Sequence, residues 1–229
     1  MSNKALKLKT ADEAVKRIQD GMTIGIGTGS TVELLVPKIA TLIQDKGYQL
    51  TGVCTSERTE NQAKALNIPT ANINDVTHID IAIDGADEID PQLNLIKGGG
   101  GALFREKVID TFADQFYVIV DQTKCVDYLG QTFKLPVEVD RFNWCQTVRS
   151  IEQHFNIKVT RRMVEDKPFI TDNGHYILDC AFESEVDPYE VHEYLIHLVG
   201  VIETGYFLDT VTEAIVGTEE GVKLIQAKA

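Results

Sequence analysis

Nowhere in the 229 residues does an apolar run approach the ~18 that a membrane-spanning helix needs. Positive charge is scarce too. Lys and Arg number 22 against 35 Asp and Glu, a formal net charge of −13. Nucleic-acid binding needs a basic footprint that displaces counterions, so that class is set aside. An anionic small molecule remains compatible, because a few placed cations override the global sign locally. Cysteine is sparse: Cys54, Cys125, Cys145 and Cys180 lie far apart with no CxxC pair. This spacing argues against a disulfide framework and a thiolate zinc site, and reads as buried or semi-buried free thiols of a cytoplasmic protein. The Lys-rich stretch 1–17 lacks the apolar segment of a signal peptide, which gives the same cytoplasmic expectation. Repeats and low-complexity segments are absent. What is present, 43% hydrophobic and 25% charged residues, excludes intrinsic disorder and suffices for one full core or two smaller ones.

Short β-type runs alternate with helical runs in the first half. Strands are expected over 23–27, 50–54, 79–83 and 116–120, and helices over 31–45, 57–66 and 102–112. Such alternation predicts an α/β, Rossmann-like, mostly parallel sheet. Pro37 should kink the first of these helices or shift its start. Beyond residue 130 the pattern changes. A strand at 137–139, a helix at 144–155, strands at 157–161 and 176–181 joined through Asp172-Asn173-Gly174, a helix at 188–198 and a strand at 201–207 follow. That β-α-β-β-α-β order predicts a smaller ferredoxin-like α+β domain. The tail, 211–229, is expected to hold an apolar piece and a helix punctuated by Gly217 and Gly221. The expected domains are therefore 1–130 with 208–229, catalytic and discontinuous, and 131–207.

Glycine placement is the best pointer to function, because three glycine-marked loops fall where strands end or helices begin. The first, Gly25-Ile26-Gly27-Thr28-Gly29-Ser30-Thr31, offers close backbone approach, helix N–H groups and hydroxyl donors. It lacks the Gly-Lys-Ser/Thr ending of a Walker A loop and breaks GxGxxG at Ser30. By itself it fits a phosphate cradle better than a dinucleotide loop or a structural turn. The second, Asp84-Gly85-Ala86-Asp87-Glu88-Ile89-Asp90, gathers carboxylates that suit sugar hydroxyls, a lysine or a metal. Their offsets fail the calcium-loop pattern, whereas spacing alone leaves magnesium open, as it does a solvated acidic turn. The third, Lys97-Gly98-Gly99-Gly100-Gly101 before a helix, suits an oxyanion hole with a cation beside it. Glu106 lies in the second turn of that helix, and its i±3 and i±4 positions (Ala102, Leu103, Ile109 and Asp110) hold no cation. Facing inward, it would have its pKa raised toward the range of a general base. His192, Glu193 and His197 miss the HExxH spacing by one residue, and Lys158, Arg161 and Arg162 read as a solvated strand face.

These motifs resemble the type A ribose-5-phosphate isomerase family over essentially the whole chain. GIGTGST at 25–31, IDGADEID at 83–90 and IKGGGGALFREK at 96–107 carry the resemblance. Asp121-Gln122-Thr123-Lys124, LPVEV at 135–139, TDNG at 171–174 and VGTEEGV near the end add to it. Gly101 and Pro37 depart slightly from the pattern. The resemblance implies a cofactor-free, metal-independent aldose–ketose isomerase that interconverts D-ribose 5-phosphate and D-ribulose 5-phosphate in the non-oxidative pentose phosphate pathway. It implies that Glu106 moves a proton between C1 and C2 through an enediolate, with Asp84, Asp87 and Lys97 in ring opening and oxyanion stabilisation. Substrate contacts are implied for Thr28, Gly29, Ser30, Thr31, Gly85, Ala86, Gly98, Gly99, Gly100 and Lys124, besides Asp84, Asp87 and Lys97, with Lys7 as an extra phosphate contact. A homodimer or homotetramer is implied, with no nucleic-acid or membrane partner. The competing readings are a nicotinamide oxidoreductase, a non-catalytic sugar-phosphate sensor on the same type of fold, and a related enzyme using Glu106 as nucleophile.

Overall fold

The apolar runs of the first half are too short to stand alone and gain stability by pairing. A computed structural model describes residues 3–227, so residues 228 and 229 of the expected tail lie outside the described ones. In chain order come α1 (Asn3–Ala14), β1 (Thr23–Ile26), α2 (Val32–Lys46), β2 (Thr51–Cys54), α3 (Glu57–Ala65), β3 (Ile79–Asp84), β4 (Glu88–Ile89), β5 (Leu95–Ile96), α4 (Leu103–Phe112) and β6 (Ala113–Asp121). Then follow β7 (Leu135–Val139), α5 (Trp144–Phe155), β8 (Lys158–Arg161), β9 (Met163–Val164), β10 (Lys167–Pro168), β11 (Tyr176–Ala181), α6 (Pro188–Ile196), β12 (Val201–Thr204), β13 (Tyr206–Phe207), β14 (Glu213–Gly217) and β15 (Val222–Gln226).

Two units result. One comprises the chain up to Ala86, Arg105–Lys124 and the chain from Thr210; the other comprises Asp87–Phe104 and Cys125–Asp209. The first unit holds a six-stranded sheet in the order β15-β14-β6-β3-β1-β2. All neighbours pair in parallel except β15, which runs antiparallel to β14 at one edge. Ile24, Ile26, Ile81 and Ile83 of the strands pack with Ala14 of α1, Leu35 and Ile39 of α2 and Ala63 of α3 in one apolar cluster. Ile109 of α4 joins Val53 and Ile79 in another.

Three expectations need correction in this unit. A helix, α1, occupies the N-terminal stretch left without an element. The tail forms strands rather than a helix, because 213–217 is buried throughout and completes a parallel ladder with β6. Pro37 leaves the start of α2 at Val32, and the helix runs through it. Proline takes away the N–H that would meet the carbonyl of Glu33 four residues back. The Gln62 side-chain amide donates to that carbonyl instead, at 2.9 Å.

The second unit has its own core, with Leu135, Val137, Ile151, Leu178 and Leu195 among its buried members. Its sheet order, β12-β7-β11-β8, is antiparallel throughout, with α5 and α6 as the helices of a ferredoxin-like arrangement. The expected strand over 201–207 is two strands, because at Gly205 the chain leaves β7 and β13 pairs with β5. An unexpected hairpin, β9–β10, lies between β8 and β11. The partition also differs from the expected boundaries, since 87–104 groups with the second unit. Short β4 and β5 pair there, and the buried Glu88 carboxylate accepts N–H bonds from Gly130, Thr132 and Phe133. Among the described residues, no helix is long and apolar enough to cross a membrane.

Candidate active site

Parallel pairing brings the carboxyl ends of β1, β2, β3 and β6 to one edge of the first unit's sheet, where ligands of open α/β sheets bind. Thr28–Thr31 follows β1, Thr55 and Ser56 follow β2, Asp84, Gly85 and Ala86 follow or close β3, and Lys124 ends the short turn after β6. Gly27 is required by close approach: a Cβ there would lie 2.0 Å from Asp84 Oδ1. The buried Asp84 carboxylate uses that oxygen to accept the N–H of Thr28 at 3.0 Å and of Gly85 at 2.6 Å. One carboxylate thereby ties two glycine-marked loops together.

The Thr28 hydroxyl lies 2.7 Å from both Thr55 Oγ1 and Ser56 Oγ. Ser56 also caps α3 by accepting the Thr59 N–H, while the Thr59 hydroxyl donates to the Gly27 carbonyl at 2.8 Å. Sequence reasoning missed this hydroxyl network, because Thr55 and Ser56 lie just past the expected strand over 50–54 and carry no glycine signal. Lys7 Nζ donates to Ser30 Oγ at 2.8 Å, which places that cation on the loop. Gly29 adopts φ 129°, and no side chain caps α2 at Thr31. Backbone carbonyls take the Glu33 and Leu34 N–H groups, so an anion here would meet the loop amides before them and the hydroxyls of Ser30 and Thr31.

Helix α4 passes directly into β6 at Ala113, so its C-terminal end lies where the parallel strands begin. Its first turn lies away from that end, and Ile109 packs against the sheet, where a Cβ on Gly25 of β1 would lie 2.6 Å from its Cγ2. Glu106 sits in that first turn, one turn earlier than expected because the helix starts at Leu103, and it is 3% exposed.

The other expected residues belong to the second unit. Lys97 is 2% exposed, its Nζ 5.2 Å from the centroid of the Phe207 ring, and its backbone N–H donates to Gly205 O at 2.9 Å. Asp87 Oδ2 accepts the Gly99 N–H at 2.7 Å, and a Cβ on Gly99 would fall 2.5 Å from Asp87 Oδ1. Gly98 is buried with φ 101°, whereas Gly99 and Gly100 are exposed.

The acidic motif thus divides. Asp84 and Asp87 organise glycine loops, whereas Glu88 and Asp90 anchor backbone inside the second unit. Asp90 Oδ1 accepts the N–H groups of Gln92 and Asn94, each at 2.8 Å, and burial pushes its carboxyl above the usual range. Among the described residues, no three His, Cys, Asp or Glu side chains converge as a metal site. The pair His192 and His197 is split in its partners: His192 Nδ1 lies 2.7 Å from Thr204 Oγ1, and His197 Nδ1 lies 2.7 Å from the Glu193 carbonyl.

The family model for ribose 5-phosphate isomerase A (phosphoriboisomerase A) matches residues 51–221. The chain belongs to this family. Ribose-5-phosphate isomerase A of Staphylococcus aureus (strain COL) is 63% identical over 223 residues, 97% of this chain and 98% of that protein. The Staphylococcus epidermidis (strain ATCC 12228 / FDA PCI 1200) protein of the same name is 62% identical over 222 residues, 97% of this chain and 96% of that one. Among solved structures, ribose 5-phosphate isomerase A of Methanocaldococcus jannaschii aligns with TM-score 0.93 and 38% identity, covering 98% of this chain and 100% of the other. A D-ribose-5-phosphate isomerase in complex with phospho-erythronic acid aligns with TM-score 0.95 and 41% identity, covering 99% and 100%. The isomerase A family model reaches both units, because its match begins at β2 and ends after β14.

Proposed function

We propose that the chain is an aldose–ketose isomerase interconverting D-ribose 5-phosphate and D-ribulose 5-phosphate, the substrate for which its relatives are named. The observation that carries this reading is the strand-end edge of the first unit. A hydroxyl- and amide-rich loop with Lys7 on it and a buried Asp84 lie there, and Glu106 is buried on α4 of the same unit. The loop 28–31, Lys7 and Lys124 hold the phosphate, as loop amides and hydroxyls with added cations favour an anion. Asp84 and Asp87 position sugar hydroxyls and assist ring opening.

The Glu106 carboxylate takes the C2 proton of the open-chain aldose, and the electrons of that C–H bond form the C1–C2 double bond. Negative charge then develops on O1, where Lys97 and the glycine-loop N–H groups that Asp87 does not hold stabilise it. The proton returns to C1 while the O2 hydroxyl proton passes to O1, leaving the ketone at C2. No electron acceptor is consumed. A relative holding phospho-erythronic acid, a phosphorylated sugar acid, supports a sugar-phosphate ligand here. Family resemblance also supports a homodimer or homotetramer in the cytoplasm, the first of which light scattering reads directly.

A coupled assay with ribose 5-phosphate, with and without EDTA, tests the reading. Turnover should persist in the chelator, since the carboxylates are assigned to sugar hydroxyls. Absence of turnover favours a sugar-phosphate sensor; loss in EDTA restored by magnesium or manganese reassigns the acidic motif to a metal.

A further inference from the structure

Arg162, which the sequence placed on a solvated strand face, is 14% exposed at its side chain, and its guanidinium points at the glycine loop of its own unit. Its Nε donates to Asp179 Oδ2 at 3.1 Å and its Nη2 to Asp179 Oδ1, a bidentate pair that fixes the plane of the fork. The remaining nitrogen, Nη1, donates to the carbonyls of Gly98 at 2.6 Å and Gly99 at 3.1 Å. A trans peptide sends each N–H the opposite way from the carbonyl before it. Holding these two carbonyls therefore turns the N–H groups of Gly99 and Gly100 to the far side of the loop. The Gly99 N–H is taken there by Asp87 Oδ2 at 2.7 Å. Gly100 is exposed, and its N–H meets no acceptor among the described residues. The Phe169 ring closes the loop's end, 2.3 Å from where a Cβ on Gly101 would sit.

We propose that Arg162, braced by Asp179, is a positioning residue that aims the Gly100 N–H at the oxygen on which charge develops. The proposal rests on the isomerase reading above and adds to it the device that sets its oxyanion donor. Arginine is needed because one planar fork must serve a carboxylate on one edge and two carbonyls on the other. A lysine ammonium on a flexible stem has no such fixed geometry. The backbone N–H of Arg162, bonded to Ile177 O at 2.8 Å, stays in place when the side chain is removed.

The test is steady-state kinetics of Arg162→Ala, Arg162→Lys and Asp179→Asn with ribose 5-phosphate, alongside inhibition by inorganic phosphate. Arg162→Ala should lower kcat by about 10- to 100-fold, less than the roughly 10²–10³ of losing an oxyanion donor outright because the donor is misaimed rather than removed, and move KM and phosphate inhibition by less than about threefold. Guanidinium chloride at non-denaturing concentration should restore part of the Arg162→Ala rate and leave wild type unchanged. Arg162→Lys should stay impaired, and Asp179→Asn should fall between. If Arg162→Ala does not fold, Asp179→Asn carries the same kcat-against-KM comparison. An unchanged kcat overturns the proposal. So does a loss shared equally by phosphate affinity with no guanidinium rescue, which would mark a merely structural clamp. A wild-type protein inert toward ribose 5-phosphate sinks the isomerase reading instead, whereas full wild-type turnover with a silent Arg162→Ala sinks only this inference.

Discussion

Glu106 and Lys124 divide the proposed chemistry at the scale of single residues, and each has its own kinetic signature. Glu106→Gln keeps shape and hydrogen bonding but cannot accept the C2 proton. It should lower kcat by roughly 10²–10⁴ with KM little changed, and abolish exchange of that proton with deuterated water. Retention of more than about a tenth of wild-type turnover would move the base to Asp84 or Asp87. Lys124→Ala removes one charged contact to phosphate. It should weaken binding by roughly 1.5–3 kcal/mol, seen in KM more than kcat. An unchanged affinity for inorganic phosphate would take Lys124 out of the site. Asp90 carries a pH effect. Its folded pKa is raised by burial, so its contribution to stability is present below its unfolded pKa and is lost as pH rises through the folded value. Asp90→Asn keeps the Oδ1 acceptor for Gln92 and Asn94 and discards the charge. The variant should melt no lower than wild type at pH 7, and its advantage should shrink as pH falls through the raised folded value and be gone below about 3.9. A deficit at pH 7 that persists into acid would contradict this assignment. In sequence, four acids between 84 and 90 look interchangeable; only their distant partners, Thr28 for one and Gly130 for another, tell them apart. The same holds for Arg162, whose partners are 64 and 17 residues away.

Among the elements, α2 depends on a repair that no local pattern announces. Pro37 removes a helical donor, and Gln62 of α3 supplies another. Gln62→Ala should cost about 1 kcal/mol, measured by denaturant midpoint with an unchanged m-value. A Pro37→Ala background should shrink that cost, since alanine restores the backbone N–H; equal costs in both backgrounds would refute the link. The β-α alternation and the ferredoxin-like order were legible because they rest on local periodicity and turn residues. The tail was not. Glycine at 217 and 221 reads as helix punctuation, yet a fully buried strand and a short amphipathic segment are decided by the neighbour strand that accepts them. The split at Gly205 is equally non-local, since β13 takes its partner from residues 95–96.

Across the whole molecule, the thiols report on both cores at once. Cys54 is pushed up to about 12 and the buried Cys180 is also pushed up, in both cases chiefly by burial, while Cys125 and Cys145 are exposed, against the expectation of buried or semi-buried thiols. Titration with a disulfide reagent at pH 8 should therefore read two thiols in the native protein, with the remaining two appearing on denaturation. Four fast thiols would mean that the packing around Cys54 and Cys180 opens readily. The order of strands has a consequence for how the protein is made. Strand β14 lies between β6 and β15, so a strand that follows the whole second unit in the chain fills an inner position of the first unit's sheet. Every residue of the second unit precedes Thr210 and is already available for folding by then. Until 213–217 emerges, β6 presents a bare ladder edge, and Lys124 at its end hangs from an unfinished strand. Translation therefore leaves this edge of β6 open until the second unit has been made, and a chain cut short before residue 213 carries an unpaired strand.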